Sequence, residues 1–379
     1  MAAGGATTST RVISADCHIT EPPHVFDRVP AHLRDRAPKV MTGPDGGEGW
    51  SFDGAPPKRT LGVEAMAGRT DGKVSGLRYD EILAGNYDGV AHAADMDLDG
   101  IDVSVVYPAN AIFTYIEPDR ELALACMRSY NDWLLDDFQA AAPSRIVGLP
   151  MLPVDDGADV AVAELRRVAA KGARGAFIPG NPVRPYHDPY YDLLYAAAVD
   201  LGLSLNFHRT FGGRPAEADW DELVNQQVTV SGTVYRFFSA AKPFTYMTYG
   251  GVFERFPDLR IVGAEVNCSW LPFWAQTMDQ CFDNPFYRAT GGVRIDRRPS
   301  ECLGVNLFVT VLDDDLGFRM IAQGFAPELA DCSMFSTDYP HSVCLWPSSQ
   351  EHIARLTAGM TEADRQQVLA GTAARIYGI

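Results

Sequence analysis

The sequence of 379 residues is poor in basic side chains, with 32 Lys and Arg against 49 Asp and Glu and a formal net charge of -17. A field of this sign repels polyphosphate, which argues against nucleic acid and anionic membrane surfaces as partners. No apolar run reaches the roughly 18 residues that a membrane-spanning helix needs. Residues 1–10 also lack the basic start and the apolar stretch of a secretory signal, and we expect them to form a disordered tail.

Paired cysteines are missing as well. The seven cysteines are scattered, odd in number and contain no Cys-x-x-Cys pair. In a chain of this length the pattern indicates reduced thiols and predicts a cytoplasmic protein. The hydrophobic fraction of 46% is large enough for a substantial core, so general disorder is excluded.

Short apolar runs rich in β-branched residues recur along the chain and are predicted to be strands. Most are apolar throughout, which is typical of parallel strands covered on both faces. Stretches with helical spacing of apolar residues separate many of them, notably 120–141, 156–172, 188–202 and 361–378. The predicted strands lie within residues 11–18, 102–108, 145–152, 173–179, 203–208, 259–265, 306–311 and 333–338.

This alternation predicts an α/β fold, a (β/α)8 TIM barrel in one domain over residues 11–379. The competing fold is a doubly wound sheet, which should carry a glycine-rich phosphate-binding turn after its first strand, and the segment after 11–18 is unlike such a turn. Residues 27–100 and 209–258 are predicted insertions at the barrel mouth. The second insertion is expected to form a lid or a subunit contact, and we expect a homo-oligomer.

Side chains that bind metals follow the predicted strands at the ends where catalytic groups of this fold lie. Asp16 and His18 are two residues apart on the first strand, so both can face the barrel interior. Taken singly, a strand-end His or Asp is often a turn or capping residue, and Asp338 could cap the turn before Pro340. Matching residues at four strand ends nevertheless favour a metal site. The candidate ligands are Asp16, His18, Glu21, His208, Glu265, Asp338 and His341.

Motifs spread over the chain have the form found in one enzyme superfamily. They include ISADCHITEPPHVF, AADMDLDGIDVSVVYP, PSRIVGLPMLP, GGVFERFPDLRIVGAE and FSTDYPHS. With these motifs the chain resembles the amidohydrolase-2 branch of the metal-dependent amidohydrolases. The resemblance implies the TIM barrel and a metal centre, but it is weakly specific for the reaction, because hydrolases and non-oxidative decarboxylases share it.

Two positions depart from those hydrolases and decarboxylases. Asp16-x-His18 stands where they usually have His-x-His, and Glu265 stands where the decarboxylases carry an acid/base His. The carboxylate-rich set resembles the branch of TIM-barrel non-haem diiron monooxygenases of platensimycin- and platencin-type diterpenoid biosynthesis. That resemblance implies two iron ions, dioxygen activation and a bulky apolar acyl substrate linked to coenzyme A. The sequence has no haem-binding cysteine motif and no nucleotide-binding fingerprint, so an external reductant would supply the electrons.

The charge of the candidate ligands also bears on the metal. Four carboxylates would neutralise two divalent cations, and hard oxygen ligands mixed with imidazoles suit iron or manganese. A catalytic zinc ion, by contrast, is mostly held by three protein ligands, chiefly imidazoles. The four carboxylates are those of Asp16, Glu21, Glu265 and Asp338.

The first hypothesis is therefore a diiron monooxygenase that hydroxylates an acyl group, with Glu265 and Asp338 as catalytic residues. The alternative is a metal-dependent hydrolase or non-oxidative decarboxylase with one zinc or manganese ion, in which Asp338 or Glu265 is the base. A third hypothesis, a catalytically silent barrel used for binding, gives no structural reason for so many ligand-type residues together.

Aromatic residues near the predicted rim suggest a substrate pocket. Tyr107, Phe113 and Trp270 are the candidates for an apolar wall, although each could equally belong to the core. Arg297 lies in the densest basic cluster of the chain, GGVRIDRRPS. We expect it to contact the phosphates of coenzyme A or a neighbouring subunit, and the alternative is an exposed basic loop.

Overall fold

Strands form where the sequence predicts them. The structure is a computed structural model that describes residues 10–52, 54–57, 59–208 and 230–379. Each of the eight predicted runs contains one parallel strand, and every residue of these eight strands is buried. The strands of the described residues are β1 (Ile13–His18), β2 (Lys39–Thr42), β3 (Glu48–Ser51), β4 (Val103–Tyr107), β5 (Ile146–Gly148), β6 (Gly175–Phe177), β7 (Ser204–His208), β8 (Ile261–Ala264), β9 (Leu307–Val311) and β10 (Ser333–Phe335).

The eight parallel strands close into a barrel. One part of the sheet has the order β1-β4-β5 and the other has the order β6-β7-β8-β9-β10. Met151, just after β5, bridges Phe177 of β6 in parallel. On the other side, the Asp338 N–H after β10 donates to the Asp16 carbonyl oxygen of β1 at 3.0 Å. The predicted (β/α)8 TIM barrel is thereby confirmed.

Helices connect successive barrel strands, as the right-handed crossover of parallel strands requires. The helix predicted over 120–141 begins at the Asp119 cap, whose carboxylate accepts the N–H groups of Glu121 and Leu122 at 3.0 and 3.2 Å, and it ends in a π-helical turn. The helix predicted over 188–202 ends at Gly202 with a φ of 65°, a conformation that glycine adopts without strain. The α-helices of the described residues are α1 (Gly89–Asp99), α2 (Arg120–Trp133), α3 (Ala158–Ala170), α4 (Asp192–Leu201), α5 (Val230–Arg236), α6 (Ala241–Tyr249), α7 (Val252–Arg255), α8 (Leu271–Asp283), α9 (Pro285–Ala289), α10 (Asp315–Ala322), α11 (Leu329–Cys332), α12 (Ser349–Leu356), α13 (Glu362–Gln366) and α14 (Thr372–Tyr377).

Shorter helical turns occur in the connections. Two of them are π-helical, Leu134–Phe138 and Gln367–Gly371. The 3-10 helices of the described ranges are Arg34–Arg36, Val63–Ala65, Tyr79–Glu81, Ala84–Asn86, Ala111–Ile116, Gln139–Ala141, Pro189–Tyr191 and Pro299–Cys302.

The segment 27–100, predicted as an insertion, contains two different parts. Its first part holds the antiparallel hairpin β2–β3, whose register pairs Val40 with Trp50. Its last part is α1, which packs on the barrel next to β4. The second predicted insertion, 209–258, lies partly outside the described residues, and so does most of the predicted tail 1–10. The assignment of 11–379 to a single domain stays a prediction.

Among the described residues, no helix combines the length and the apolar character needed to cross a bilayer. The cytoplasmic location and the homo-oligomeric state stay predictions.

A buried histidine joins α1 to the barrel. The Nδ1 atom of His92 lies 2.9 Å from the carbonyl oxygen of Gly85, and its Nε2 atom lies 3.0 Å from the hydroxyl of Ser104 on β4. Since a carbonyl only accepts, Nδ1 carries the proton and Nε2 accepts from Ser104. Burial lowers the pKa of His92 from 6.5 to about 4, so the ring is neutral in the folded protein.

This shift predicts a pH dependence of stability. Between pH 6.5 and 4 the unfolded chain binds a proton at His92 that the folded chain does not, so stability falls as the pH is lowered. From pH 8 to pH 5 the loss due to this one residue is about 2 kcal/mol. The free energy of unfolding is measured in urea at pH 8 and at pH 5. We expect the difference between these two values to be about 2 kcal/mol smaller in His92→Gln than in the wild type. An unchanged difference would show that His92 does not titrate in this range.

Candidate metal centre

Four barrel strands bring imidazoles and carboxylates together at the C-terminal end of the barrel. Asp16 and His18 belong to β1, and His208 is the last residue of β7. Glu265 follows β8, and Asp338 stands three residues after β10. All five side chains are buried, because they point into the mouth of the barrel beneath its loops. Their convergence follows from the topology, since the C-terminal ends of parallel strands meet on one rim.

The backbone bends sharply at two of these strand ends. Glu265 has a φ of 56° and Asp338 has a φ of 54°, both in the left-handed region that side chains other than glycine rarely adopt. Such conformations cost on the order of 1–3 kcal/mol each and persist where neighbouring contacts enforce them. Here the Asp338 N–H is held by the Asp16 carbonyl oxygen, and the Glu265 N–H donates to the Thr310 hydroxyl at 2.6 Å. Strain of this kind is common at functional sites.

The ligand atoms form two groups that share His18. In each group the atoms lie within 4.8 Å of one another: Asp16, His18 and His208 in one group, and His18, Asp338 and His341 in the other. The His18 Nε2 atom lies 3.4 Å from Asp16 Oδ1 and 3.2 Å from Asp338 Oδ1. Spacings of this size are those of ligands arranged around a single cation.

Glu265 and His341 complete the cluster on its two sides. The His208 Nε2 atom lies 3.3 Å from Glu265 Oε2 and 3.8 Å from Asp16 Oδ2. The His341 Nδ1 atom lies 3.1 Å from Asp338 Oδ1, and its ring stacks on that of His18 with centroids 3.8 Å apart. The side chain of His341 is 22% exposed, whereas those of His18 and His208 are 3% and 4% exposed.

Two of these side chains have buried polar atoms with no hydrogen bond. Both ring nitrogens of His18 and both carboxylate oxygens of Asp338 lack a hydrogen bond of normal geometry to any residue of the described ranges. Buried polar groups are nearly always satisfied, so these atoms call for a ligand. A divalent cation fits, because the mixed imidazole and carboxylate donors are those that manganese, iron and zinc accept.

The protonation states also suit a cation. Burial, reinforced by the charge of His341, lowers the pKa of His18 to about 4, so this ring is neutral near pH 7. Burial alone would raise the pKa of Asp338, but the charge of His341 and the contact with His18 outweigh it and hold the pKa well below its usual range. Metal ligands must be deprotonated, and both residues are.

Glu21, also predicted as a ligand, is not brought into this cluster. Its carboxylate accepts the backbone N–H groups of Ala109, Asn110 and Ala111 at 2.9, 2.8 and 3.0 Å. These bonds fix the position of the loop that follows β4. Burial raises the pKa of Glu21 even though the three amides favour its anion. The carboxylates that meet at the site are therefore three, those of Asp16, Glu265 and Asp338.

The aromatic residues predicted to contact the substrate lie in different parts of the structure. Tyr107, at the end of β4, is buried with its ring centroid 6.0 Å from that of His18. Trp270 is half-buried and donates its indole N–H to the Val266 carbonyl oxygen at 2.9 Å. Phe113 lines a cavity beside the hairpin β2–β3.

Arg297 lies at the opposite end of the barrel from the cluster. Its guanidinium donates to the Asn306 side chain at 2.6 Å, and Asn306 directly precedes β9. The expected contact of Arg297 with a substrate at the C-terminal rim is therefore corrected, because the loop before a strand lies at its N-terminal end.

Sequence reasoning missed one residue that touches two of the candidate ligands. Thr310 on β9 is fully buried, and its hydroxyl donates to Asp16 Oδ2 at 3.0 Å while accepting the Glu265 N–H at 2.6 Å. It thereby orients one carboxylate and holds the backbone that carries another. The sequence did offer a signal for this residue, because a hydroxyl side chain stands within the otherwise apolar run LFVTV.

Known proteins share this architecture. A family model described as Amidohydrolase (Amidohydro_2) matches residues 102–379. The structure resembles an amidohydrolase from Mycobacterium avium subsp. paratuberculosis K-10, with 18% identity, coverage of 98% of both chains and a TM-score of 0.75. It also resembles 5-carboxyvanillate decarboxylase from Sphingomonas paucimobilis, with 22% identity over 98% of this chain and 100% of that chain and a TM-score of 0.70. Dihydroxybenzoic acid decarboxylase from Polaromonas sp. JS666, solved with manganese and the inhibitor 2-nitroresorcinol, has 18% identity over 97% of each chain and a TM-score of 0.64.

The comparisons correct the predicted reaction. The structural neighbours are decarboxylases and amidohydrolases, so the expected diiron monooxygenase, an oxidoreductase, is wrong. Two irons, an external reductant, dioxygen and a substrate linked to coenzyme A have no support in these findings. The error has a physical source, because the argument for two cations required four carboxylates, and the backbone amides after β4 engage the fourth, Glu21.

Replacing Thr310 tests its role in positioning the ligands. Thr310→Val keeps the shape but leaves the Glu265 N–H without its acceptor, so we expect a stability loss of about 1–3 kcal/mol. We expect Mn²⁺ affinity, measured by equilibrium dialysis, to fall roughly 10- to 100-fold, as is usual when a group that orients a metal ligand is removed. Thr310→Ser should retain most of the affinity. As a control, Thr357→Val removes a buried hydroxyl on α12's C-terminal side, which donates to Ile353, and should leave metal affinity intact.

Replacing Glu21 tests whether it is structural. Glu21→Gln replaces one of the two acceptor oxygens by an NH2 group, so at least one of the three hydrogen bonds from backbone amides is lost. We expect the free energy of unfolding in urea to fall by about 2 kcal/mol. The metal content per chain, measured by mass spectrometry, should stay at the wild-type value. Loss of metal in a variant that remains folded would return Glu21 to the ligand set.

Proposed function

Because the chain belongs to the amidohydrolase family, we propose that it is a metal-dependent enzyme that removes a carboxylate non-oxidatively from a small aromatic acid. The observation that carries the proposal is the buried cluster in which His18 and Asp338 have polar atoms that no hydrogen bond of normal geometry from the described residues satisfies. The decarboxylase neighbours, one of them solved with manganese, support this reaction class and manganese as the metal, with zinc as the alternative ion.

In the proposed centre, Asp16, His18, His208 and Asp338 hold the cation. When bound, the cation supplies positive charge that stabilises negative charge on substrate oxygens. The two carboxylates of this set balance the charge of one divalent ion, which is why one ion is proposed. Thr310 keeps Asp16 turned towards the site through its hydrogen bond of 3.0 Å.

Decarboxylation needs a proton as well as a metal. The bond between the ring carbon and the carboxylate breaks, carbon dioxide leaves, and a proton takes its place on that carbon, so no oxidant enters. His341 is suited to carry this proton, because it is the most exposed imidazole of the cluster and its Nδ1 is engaged by Asp338, which leaves Nε2 to face a substrate. Glu265, beside His208 at 3.3 Å, is the second group that can hold a proton next to the cation.

Hydrolysis is the second candidate reaction. It is favoured by the likeness to a protein named as an amidohydrolase. Activation of water would then replace delivery of a proton to carbon. The two reactions share the same metal centre.

Metal analysis tests the centre. We expect about one manganese or zinc ion per chain in protein purified without chelators, and less than about 0.1 in Asp338→Asn and His18→Gln, because each variant removes a ligand. Asp99→Asn is the matched control, since Asp99 is equally buried but accepts from Ser349 away from the cluster. Normal metal content in both ligand variants would contradict the assignment.

Isotope labelling separates the two reactions. Hydroxybenzoic acids and their amides or esters are incubated with the manganese-loaded enzyme in D₂O and in ¹⁸O-labelled water. Decarboxylation gives carbon dioxide and one deuterium on the ring carbon, whereas hydrolysis gives a product with ¹⁸O. We expect the first result, and full activity in the presence of a chelator would exclude a metal role in either reaction.

A further inference from the structure

A cavity of about 370 Å³ lies between the hairpin β2–β3 and the loop that follows β4. Trp50, Phe52 and Phe113 provide apolar wall, and the Phe52 and Phe113 rings meet edge to face with centroids 5.6 Å apart. The volume is at the lower end of the range of small-molecule sites, roughly 300–1,000 Å³, and suits a small aromatic molecule.

Hydrogen bonds connect both sides of the cavity to segments that carry candidate metal ligands. The loop containing Asn110 is held by Glu21, three residues after His18. On the other side, the Val63 carbonyl oxygen accepts the N–H of Ser342 at 2.8 Å, and Ser342 follows His341. The cavity therefore belongs to the same rim of the barrel as the metal centre.

The lining of the cavity includes one cationic side chain, that of Arg59. The Arg59 side chain is 57% exposed, and its one ion pair among the described residues is a long contact of 3.5 Å to Glu64 Oε2. Arginine has five N–H donors in a planar fork that matches a carboxylate, and it also stacks on aromatic rings. The acidic residue of the lining, Glu117, is engaged by the Asp119 N–H at 2.9 Å.

Besides the Trp50 indole nitrogen, two further polar groups of the lining have no hydrogen bond to the described residues. The Ser51 hydroxyl, on a residue 5% exposed, and the Asn110 side-chain amide nitrogen are buried without a hydrogen bond to the residues that the structure describes. Both groups can donate, as Arg59 does. An aromatic ligand with an oxygen-rich anionic substituent would satisfy all three.

We propose that this cavity binds an aromatic group bearing an anionic substituent, with Arg59 contacting the anion and determining specificity. The inference rests on the proposed function in one respect. It takes the aromatic group bound in this cavity to be the part of the substrate that lies farthest from the metal. The lining residues Trp50, Phe52 and Arg59 lie outside the range 102–379 that the family model matches, so that match by itself assigns no role to this side of the cavity.

Two fluorescent probes with the same aromatic skeleton test the proposal. 8-Anilinonaphthalene-1-sulfonate carries an anion, and N-phenyl-1-naphthylamine is its neutral counterpart. We expect Arg59→Met to weaken binding of the anionic probe roughly tenfold, as for loss of a charged hydrogen bond, and to leave binding of the neutral probe within about twofold. Phe113→Asp should weaken both probes, because it places a charge in the apolar wall.

Arg128→Met is the matched control. Arg128 on α2 is 55% exposed and makes a similar single contact of 3.4 Å to Glu164 Oε2, but it does not line the cavity. Its replacement should leave both affinities unchanged. Equal binding of the anionic probe to wild type and Arg59→Met, or failure of the probes to bind wild type, would overturn the proposal.

The titrations are made with metal-free and manganese-loaded protein. Arg59-dependent probe binding in protein that takes up no manganese on loading would support the pocket and count against the proposed function. Normal metal content without Arg59-dependent binding would overturn the pocket alone.

Discussion

The hydrogen bond from the Asp338 N–H to the Asp16 carbonyl oxygen helps to close the barrel, and the candidate metal centre depends on this closure. The contact joins the last strand to the first and brings two carboxylates from opposite ends of the chain to the same rim. His18, next to this seam, then lies within 3.4 Å of Asp16 and 3.2 Å of Asp338. Formation of the site is thus a consequence of closing the barrel.

Closure places like charges close together in a buried space. Three carboxylates gather where water is largely excluded, and their mutual repulsion and desolvation oppose folding unless cations or protons compensate. Partial compensation comes from the protein itself, through the contact of Asp338 with His341 at 3.1 Å and the hydroxyl of Thr310 on Asp16. The left-handed backbone at Glu265 and Asp338 adds strain at the same place. A divalent cation would relieve the repulsion, which links metal binding to the stability of the folded barrel.

The sequence allowed the barrel to be predicted because parallel strands covered on both faces are apolar at every position, a pattern that does not depend on distant contacts. Strand ends could be recognised for the same reason, and five of the candidate ligands lie there. Glu21 shows the limit, because only the folded chain reveals that its carboxylate meets three amides about 90 residues away. Arg297 was misplaced for a different reason, since its position shortly before β9 already indicated the N-terminal end of the barrel. The choice of reaction failed because it followed a resemblance to the diiron branch, and the supporting count of four carboxylates included Glu21, which the backbone amides engage.

Asp16 stands where the resemblance implies an imidazole, which would have a consequence for the metal itself. A carboxylate transfers more negative charge to a cation than a neutral imidazole does, so an ion in the proposed centre would be held more tightly and would be a weaker Lewis acid. Hard oxygen ligands also shift preference towards manganese, whereas sites rich in imidazole suit zinc. A weaker Lewis acid is a poorer activator of water but still binds and orients a substrate carboxylate or phenolate. Both effects favour a reaction in which the cation positions an anionic acid while a protein group delivers the proton, and the aromatic cavity with Arg59 would hold the other end of such an acid.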